Sequence, residues 1–291
     1  MESTAVCLEN KVLKVQIHPK GAELQRLYHK EYKLEYLWNA DATYWPKYSP
    51  VLFPIVGALK DNAYLYKEST YKLSRHGFAR DMMFEVESAG TDHATFTLKS
   101  SAETKANYPF DFILKLHYRL DGSVLEVKYE VINESDETLY FSIGAHPAFA
   151  VPFQEGTNYE DYFLEFEKKE TAPRWTIKNS LIAEPRTYLE NESKIPLKKE
   201  LFYEDAIVLN NLESNRLSIK SDKTPHGLHF YFEGFPFMGI WAAKDAPFVC
   251  IEPWCGIADS VDHNQQFEKK EGVMALQPKT NWTKAWRVEL F

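Results

Sequence analysis

Over positions 112–131 the chain switches, residue by residue, between apolar and charged side chains. Leu114, Leu116, Tyr118 and Leu120 interleave with Lys115, His117 and Arg119; beyond Asp121-Gly122, Leu125, Val127, Tyr129 and Val131 interleave with Glu126, Lys128 and Glu130. Successive side chains of a β-strand point to opposite faces, so a period of two means a pleated sheet with one dry face and one wet face. Asp121-Gly122 predicts a two-residue hairpin turn, because both residues tolerate a positive φ. Asn133-Glu134-Ser135-Asp136 is the next turn signal and 138–143 the next strand. An antiparallel meander with one dry face needs a second layer to cover it.

The same pattern recurs in short runs at 11–17, 70–73, 83–88, 94–99, 161–166, 206–209, 217–221, 228–232 and 286–290. No run of useful length has helical periodicity; short turns are expected at 41–48 and near Gln265. Phe, Trp and Tyr make up 15% of the 291 residues, a bias that suits pleated surfaces. Prolines are spread from Pro19 to Pro278 without a concentrated linker, and no internal repeat is visible. These features predict an all-β chain folded as a single domain over 1–291, a large two-sheet sandwich or related closed assembly.

A formal net charge of −8 argues against nucleic acid or an anionic membrane as the main partner. A small anionic ligand stays open, since it responds to local charge. No segment is long and apolar enough to cross a bilayer. Met1-Glu2-Ser3-Thr4 lacks the basic and apolar regions of a secretory signal, and Cys7, Cys250 and Cys255 are an odd set without a disulfide pattern. A reduced, cytoplasmic location is expected.

Three segments set a titratable side chain among small or apolar neighbours. Phe248-Val-Cys-Ile-Glu-Pro-Trp254 places Glu252 between a strand-like run and a rigid proline; Ile143-Gly-Ala-His-Pro-Ala-Phe149 places His146 beside small residues; Arg75-His76-Gly77-Phe78-Ala79-Arg80 places His76 in a basic turn. Taken singly, each has an ordinary structural role: a carboxylate held by backbone amides, a core histidine bonded to a carbonyl, a solvated turn. Taken together, one carboxylate and two imidazoles suffice to move a proton on and off a neutral substrate. His226-Gly227-Leu228-His229 has neither the helix nor the spacing of a zinc protease motif, and nothing fixes a ligand spacing around Glu252, so no metal is expected. No dinucleotide fingerprint, phosphate-cradling glycine loop or Gly-Xaa-Ser-Xaa-Gly elbow is present, so no cofactor is expected either.

The order and spacing of Ser49-Pro-Val-Leu-Phe-Pro-Ile-Val-Gly57, His76-Gly-Phe-Ala-Arg80, Gly144-Ala-His-Pro-Ala-Phe149 and Ile251-Glu-Pro-Trp254 resembles the aldose 1-epimerase (galactose mutarotase-like) family, in particular its LacX-type branch, found alongside lactose and galactose metabolism. The resemblance runs from Leu13 to Glu289. It implies a β-supersandwich of two large antiparallel sheets with a sugar cleft on one face. It implies Glu252 as general base, His146 as general acid and His76 as a histidine that hydrogen-bonds the substrate. Asp205 matches a sugar-hydroxyl-binding aspartate, and Trp241 a residue lining the cleft. Galactose mutarotases carry an Asn-Arg pair after the Val-Gly that matches Val56-Gly57, where this chain reads Ala58-Leu59-Lys60-Asp61-Asn62. Lys60 is the candidate to replace that arginine's charge, although a point charge is not a planar fork. Arg75, Arg80 and Lys60 are candidate phosphate contacts, since a relative acting on hexose 6-phosphates is also similar.

The implied activity is interconversion of α and β anomers of a free aldohexose such as galactose or glucose, without cofactor or metal. Glu252 is expected ionised and His146 protonated. The partner is then a monosaccharide, in free or phosphorylated form. The alternatives are a hexose-6-phosphate mutarotase, a non-catalytic sugar-binding protein and a polysaccharide-cleaving relative.

Overall fold

A computed structural model describes residues 4–291; Met1, Glu2 and Ser3, the start of the segment expected not to be a secretory signal, lie outside the described residues. The alternating segment forms the antiparallel pair Ile113–Asp121 and Val124–Asn133, with its apolar set buried. The turn falls one residue later than expected. Asp121 pairs with Val124, so Gly122 and Ser123 form the loop, and of the two only Gly122 has a positive φ, 56°. Glycine in the first central position is the signature of a type II′ turn, whose twist suits a two-residue hairpin.

The structure is nearly all β and its strand ladders are antiparallel, as expected for a supersandwich. A fourteen-stranded sheet runs from Ile143–Gly144 through Phe248–Cys255, Phe237–Trp241, Ile207–Asn210, Tyr162–Lys178, Arg216–Ser221, Leu228–Tyr231, Thr280–Leu290, Val124–Asn133, Ile113–Asp121 and His93–Lys99 to Glu85–Ala89. Ala148–Ala150 and Leu181–Pro196 pair onto it off this path. A four-stranded sheet is built from Val6–Glu9, Leu13–His18, Glu23–His29 and Leu34–Glu35. Leu13, Val15 and Ile17 of the small sheet share one apolar core with Leu114, Val127, Trp286 and Val288 of the large one. Among the described residues the only α-helix is the single turn Ala102–Lys105, capped by Ser101 and Thr104.

Two departures from the sequence expectation bear on the site. The strand expected at 138–143 divides: Leu139–Phe141 pairs with Met274–Leu276, and Ile143–Gly144 pairs with Phe248–Cys255. The strand expected at 161–166 continues as Tyr162–Lys178 and returns as Leu181–Pro196, a long hairpin with several register shifts. Much of this hairpin is exposed and it carries Pro173 and Pro185, so neither alternation nor propensity marks it. Its two-residue turn is Asn179-Ser180, both with positive φ, 53° and 69°. Ile182 ties it down: its N–H donates to the Asp259 carbonyl (2.9 Å), and its own carbonyl accepts from Val261 N (2.9 Å).

Candidate active site

Glu252 lies on Phe248–Cys255, a strand buried along all eight of its residues. Both faces of this strand are covered, so its sequence is continuously apolar apart from the one carboxylate. Pro253 does not end it: proline has no N–H to give, but its carbonyl still accepts from Ala145 N (3.1 Å).

The same strand positions His146. Ile143–Gly144 pairs with its far end, Gly144 opposite Trp254, and Ala148–Ala150 pairs with its near end, Ala148 opposite Cys250. Between them Ile251 N donates to the Pro147 carbonyl (3.3 Å). His146 therefore faces the centre of the strand, and its Nε2 stands 3.2 Å from Oε2 of Glu252. The contact is close but not aligned as a hydrogen bond: Glu252 Oε2 and His146 Nδ1 are buried without a directed partner.

His76 is joined to this pair through the 49–57 segment. Leu52 and Gly144 exchange backbone hydrogen bonds (2.9 and 3.0 Å), while Phe78 N donates to the Phe53 carbonyl (3.1 Å). His76 N donates to the Gly57 carbonyl (2.9 Å), and Gly57 N donates to His76 Nδ1 (3.1 Å). A neutral imidazole that accepts at Nδ1 carries its proton on Nε2, so His76 presents a donor. Its ring stands edge-on to His146, centroids 5.7 Å apart.

These three side chains line a cavity of about 310 Å³ together with Asp205, Arg80 and Trp241. That size suits a small ligand. Asp205 spends one carboxylate oxygen on Ala206 N (2.7 Å). Trp241 stands edge-on to His146 at 5.6 Å, while Trp45, which no sequence pattern singled out, stacks on it at 4.9 Å. Arg75, Ser180, Ile177 and Ile182 complete one wall, and the last three come from the tip of the long hairpin. Arg75 donates to Ser180 Oγ, and Arg80 to the Arg75 carbonyl (2.8 Å).

Lys60 is the sequence-expected residue that does not join them. Its ammonium donates to the carbonyls of Val261 (2.9 Å) and His263 (3.3 Å), a structural role outside the cavity lining. The cations that do line the cavity are Arg75 and Arg80.

Burial also alters the expected charges. It pushes Glu252 well above the usual carboxylate range, with the nearby Trp254 indole opposing and Asp205 adding to the rise. It pushes His146 down to about 3, helped by the positive charges of Arg80 and Arg75, and it likewise pushes His76 well down. The ion pair expected from proximity is thus disfavoured: desolvation penalises both charges more than their attraction repays. A neutral Glu252 with a neutral His146 holds the same single proton as the ion pair, and the two arrangements differ by one transfer over 3.2 Å. Cys250 Sγ comes within 4.8 Å of both groups. Burial and the Glu252 charge push its thiol well up, so in the site as it stands Cys250 is a neutral, buried thiol.

The aldose 1-epimerase family model matches residues 4–284. The chromosomal Protein LacX of Lactococcus lactis subsp. lactis is 35% identical over 294 residues, spanning 97% of this chain and 98% of its own. Among solved structures, a galactose mutarotase related enzyme from Lactobacillus acidophilus superimposes with a TM-score of 0.95 at 35% identity, covering 99% of this chain and 97% of that one. A galactose mutarotase-like protein from Lactobacillus casei gives 0.91 at 31% identity, covering 99% and 100%.

Proposed function

The chain belongs to the aldose 1-epimerase family, and from that premise we propose that it interconverts the α and β anomers of an aldohexose by general acid–base ring opening. The observation that carries the proposal is the Glu252–His146 pair, 3.2 Å apart in a cavity of small-ligand size. Glu252 takes the proton of the anomeric hydroxyl while His146 protonates the ring oxygen. The ring opens to the aldehyde, the C1–C2 bond rotates, and the reverse transfers close it on the other face. Polar hydroxyls entering the cavity replace part of the lost solvation, so the shared proton can move from Glu252 to His146 and set up these roles. His76 donates from Nε2 to a sugar oxygen, Asp205 accepts from a hydroxyl, and Trp45 and Trp241 offer apolar ring faces. The chemistry uses side chains alone, and a cytoplasmic monosaccharide is the partner it fits.

One observation favours a second reading of the substrate. Arg75 and Arg80 line one end of the cavity, where a 6-phosphate would meet two guanidinium groups. A panel of freshly dissolved α-glucose, α-galactose and their 6-phosphates, followed by polarimetry or exchange NMR, tests both. Faster decay of rotation on free sugars supports the first reading, and marked preference for the phosphates supports the second. Saturable binding without acceleration leaves a sugar-binding protein.

A further inference from the structure

Trp254 has no role in the chemistry described so far, yet its placement is tightly specified. It lies two residues beyond Glu252 on the same strand, on the same side, and lines the same cavity. Two glycines make room for it. A Cβ on Gly144 would stand 2.5 Å from Cδ1 of the indole, and one on Gly239 would stand 2.4 Å from Cζ2 and 3.1 Å from Cε2. Gly144 lies against the five-membered ring and Gly239 against the six-membered ring, so the whole indole is seated between them. Neither glycine has a positive φ in this structure; what is required of them is space. The cradle leads to an unsatisfied group: Trp254 Nε1 is buried without a hydrogen-bond partner, and so is Oε2 of Glu252. A buried donor and a buried acceptor left open on one strand face are costly unless they serve each other in another state of the site.

We propose that Trp254 is a positioning residue whose indole N–H donates to the Glu252 carboxylate, keeping that group aimed and charged while it acts as base. Every other group facing Glu252 works differently. His146 exchanges the proton with it, and Asp205 and the Cys250 thiol supply no positive charge. Arg75 and Arg80 act on His146 and His76, and His76 itself is shifted by His146. The direction in which the indole moves the Glu252 acidity agrees with this role. The inference rests on the acid–base reading of Glu252, and one of its measurements needs no turnover.

Trp254→Phe keeps the ring and deletes the donor. A hydrogen bond to a charged acceptor corresponds to a shift of about one to two pH units. The acid limb of the pH profile of kcat/KM should therefore move up by that amount, with activity at neutral pH falling by about tenfold or more and recovering as pH rises. An acid limb that stays in place overturns the proposal. Should the variant fail to fold, nitrogen-15 NMR of the wild type carries the test, because the chain has seven tryptophans and so seven indole signals. One signal should titrate with pH in the wild type and stay fixed in Glu252→Gln. Seven signals that behave alike in both proteins overturn the proposal. An inactive chain whose indole still titrates refutes the epimerase reading and leaves this one standing.

Discussion

Two buried acid–base pairs lie close together in this molecule, and they are finished to different standards. Asp259 and Lys270 are 1% and 3% exposed, and Glu252 and His146 are 2% and 7% exposed. Lys270 Nζ donates to Asp259 Oδ1 (2.9 Å) and to the Ile257 carbonyl, while Asp259 Oδ2 accepts from Lys60 N (2.9 Å). The backbone of Asp259 is used as well, accepting from Ile182 and donating to the Ala58 carbonyl (2.9 Å each). Glu252 and His146 face each other with atoms left open. A satisfied pair locks segments together; an unsatisfied pair in a cavity still has hydrogen bonds to offer a third molecule. Burial by itself does not separate structure from function here. On the proposed reading, completion of the hydrogen bonding does.

Substitutions can break that contrast, and the largest effect belongs to the open pair. Glu252→Gln should reduce the rate of anomer exchange by about 10²–10⁴-fold, the usual contribution of a placed acid or base. It should leave thermal unfolding unchanged or raise its midpoint, since a group prone to charge has been replaced by a neutral one. Polarimetry and a melting curve on the same sample decide it; a variant with wild-type rate removes Glu252 from the mechanism.

The closed pair should respond in the opposite sense. Asp259→Asn strands the Lys270 ammonium in the interior and should cost about 3–5 kcal/mol in denaturant unfolding. Adding Lys270→Met to it should recover most of that loss. A single variant as stable as the wild type would mean that the pair does not hold the cavity wall together.

A smaller effect sharpens the comparison through pH. His146 binds its proton near pH 3 in the folded chain but near 6.5 when unfolded. Between those values the unfolded state binds more protons, so stability falls as pH drops from about 6.5 toward 3. His146→Asn should remove that part of the slope while the remaining histidines keep theirs. Melting temperature against pH for the two proteins checks it, and identical slopes would refute the burial-driven shift.

The sequence made some of this architecture plain and concealed the rest for physical reasons. The Ile113–Asn133 hairpin was readable because one face is dry and the other wet, and that difference is written in every second residue. Glu252, His146 and His76 stood out because titratable groups among glycine, alanine and proline are uncommon; the strands then bring all three into one cavity. Lys60 misled because spacing cannot say whether an ammonium will be captured by nearby carbonyls. Trp45 and the hairpin tip were hidden because a loop tryptophan and an exposed, proline-bearing hairpin have no period to detect. The Asp259–Lys270 pair was hidden as well, since eleven residues of separation say nothing about burial.

Both members of the proposed acid–base pair are fastened to one rail, the Phe248–Cys255 strand, by backbone ladders on either side of His146. The gap between acid and base is thus set by main-chain register, which few substitutions disturb. The hairpin tip and the arginine loop that furnish the opposite wall are separate attachments. Substitutions in those attachments can therefore change the shape of the cavity while leaving the 3.2 Å spacing of Glu252 and His146 in place.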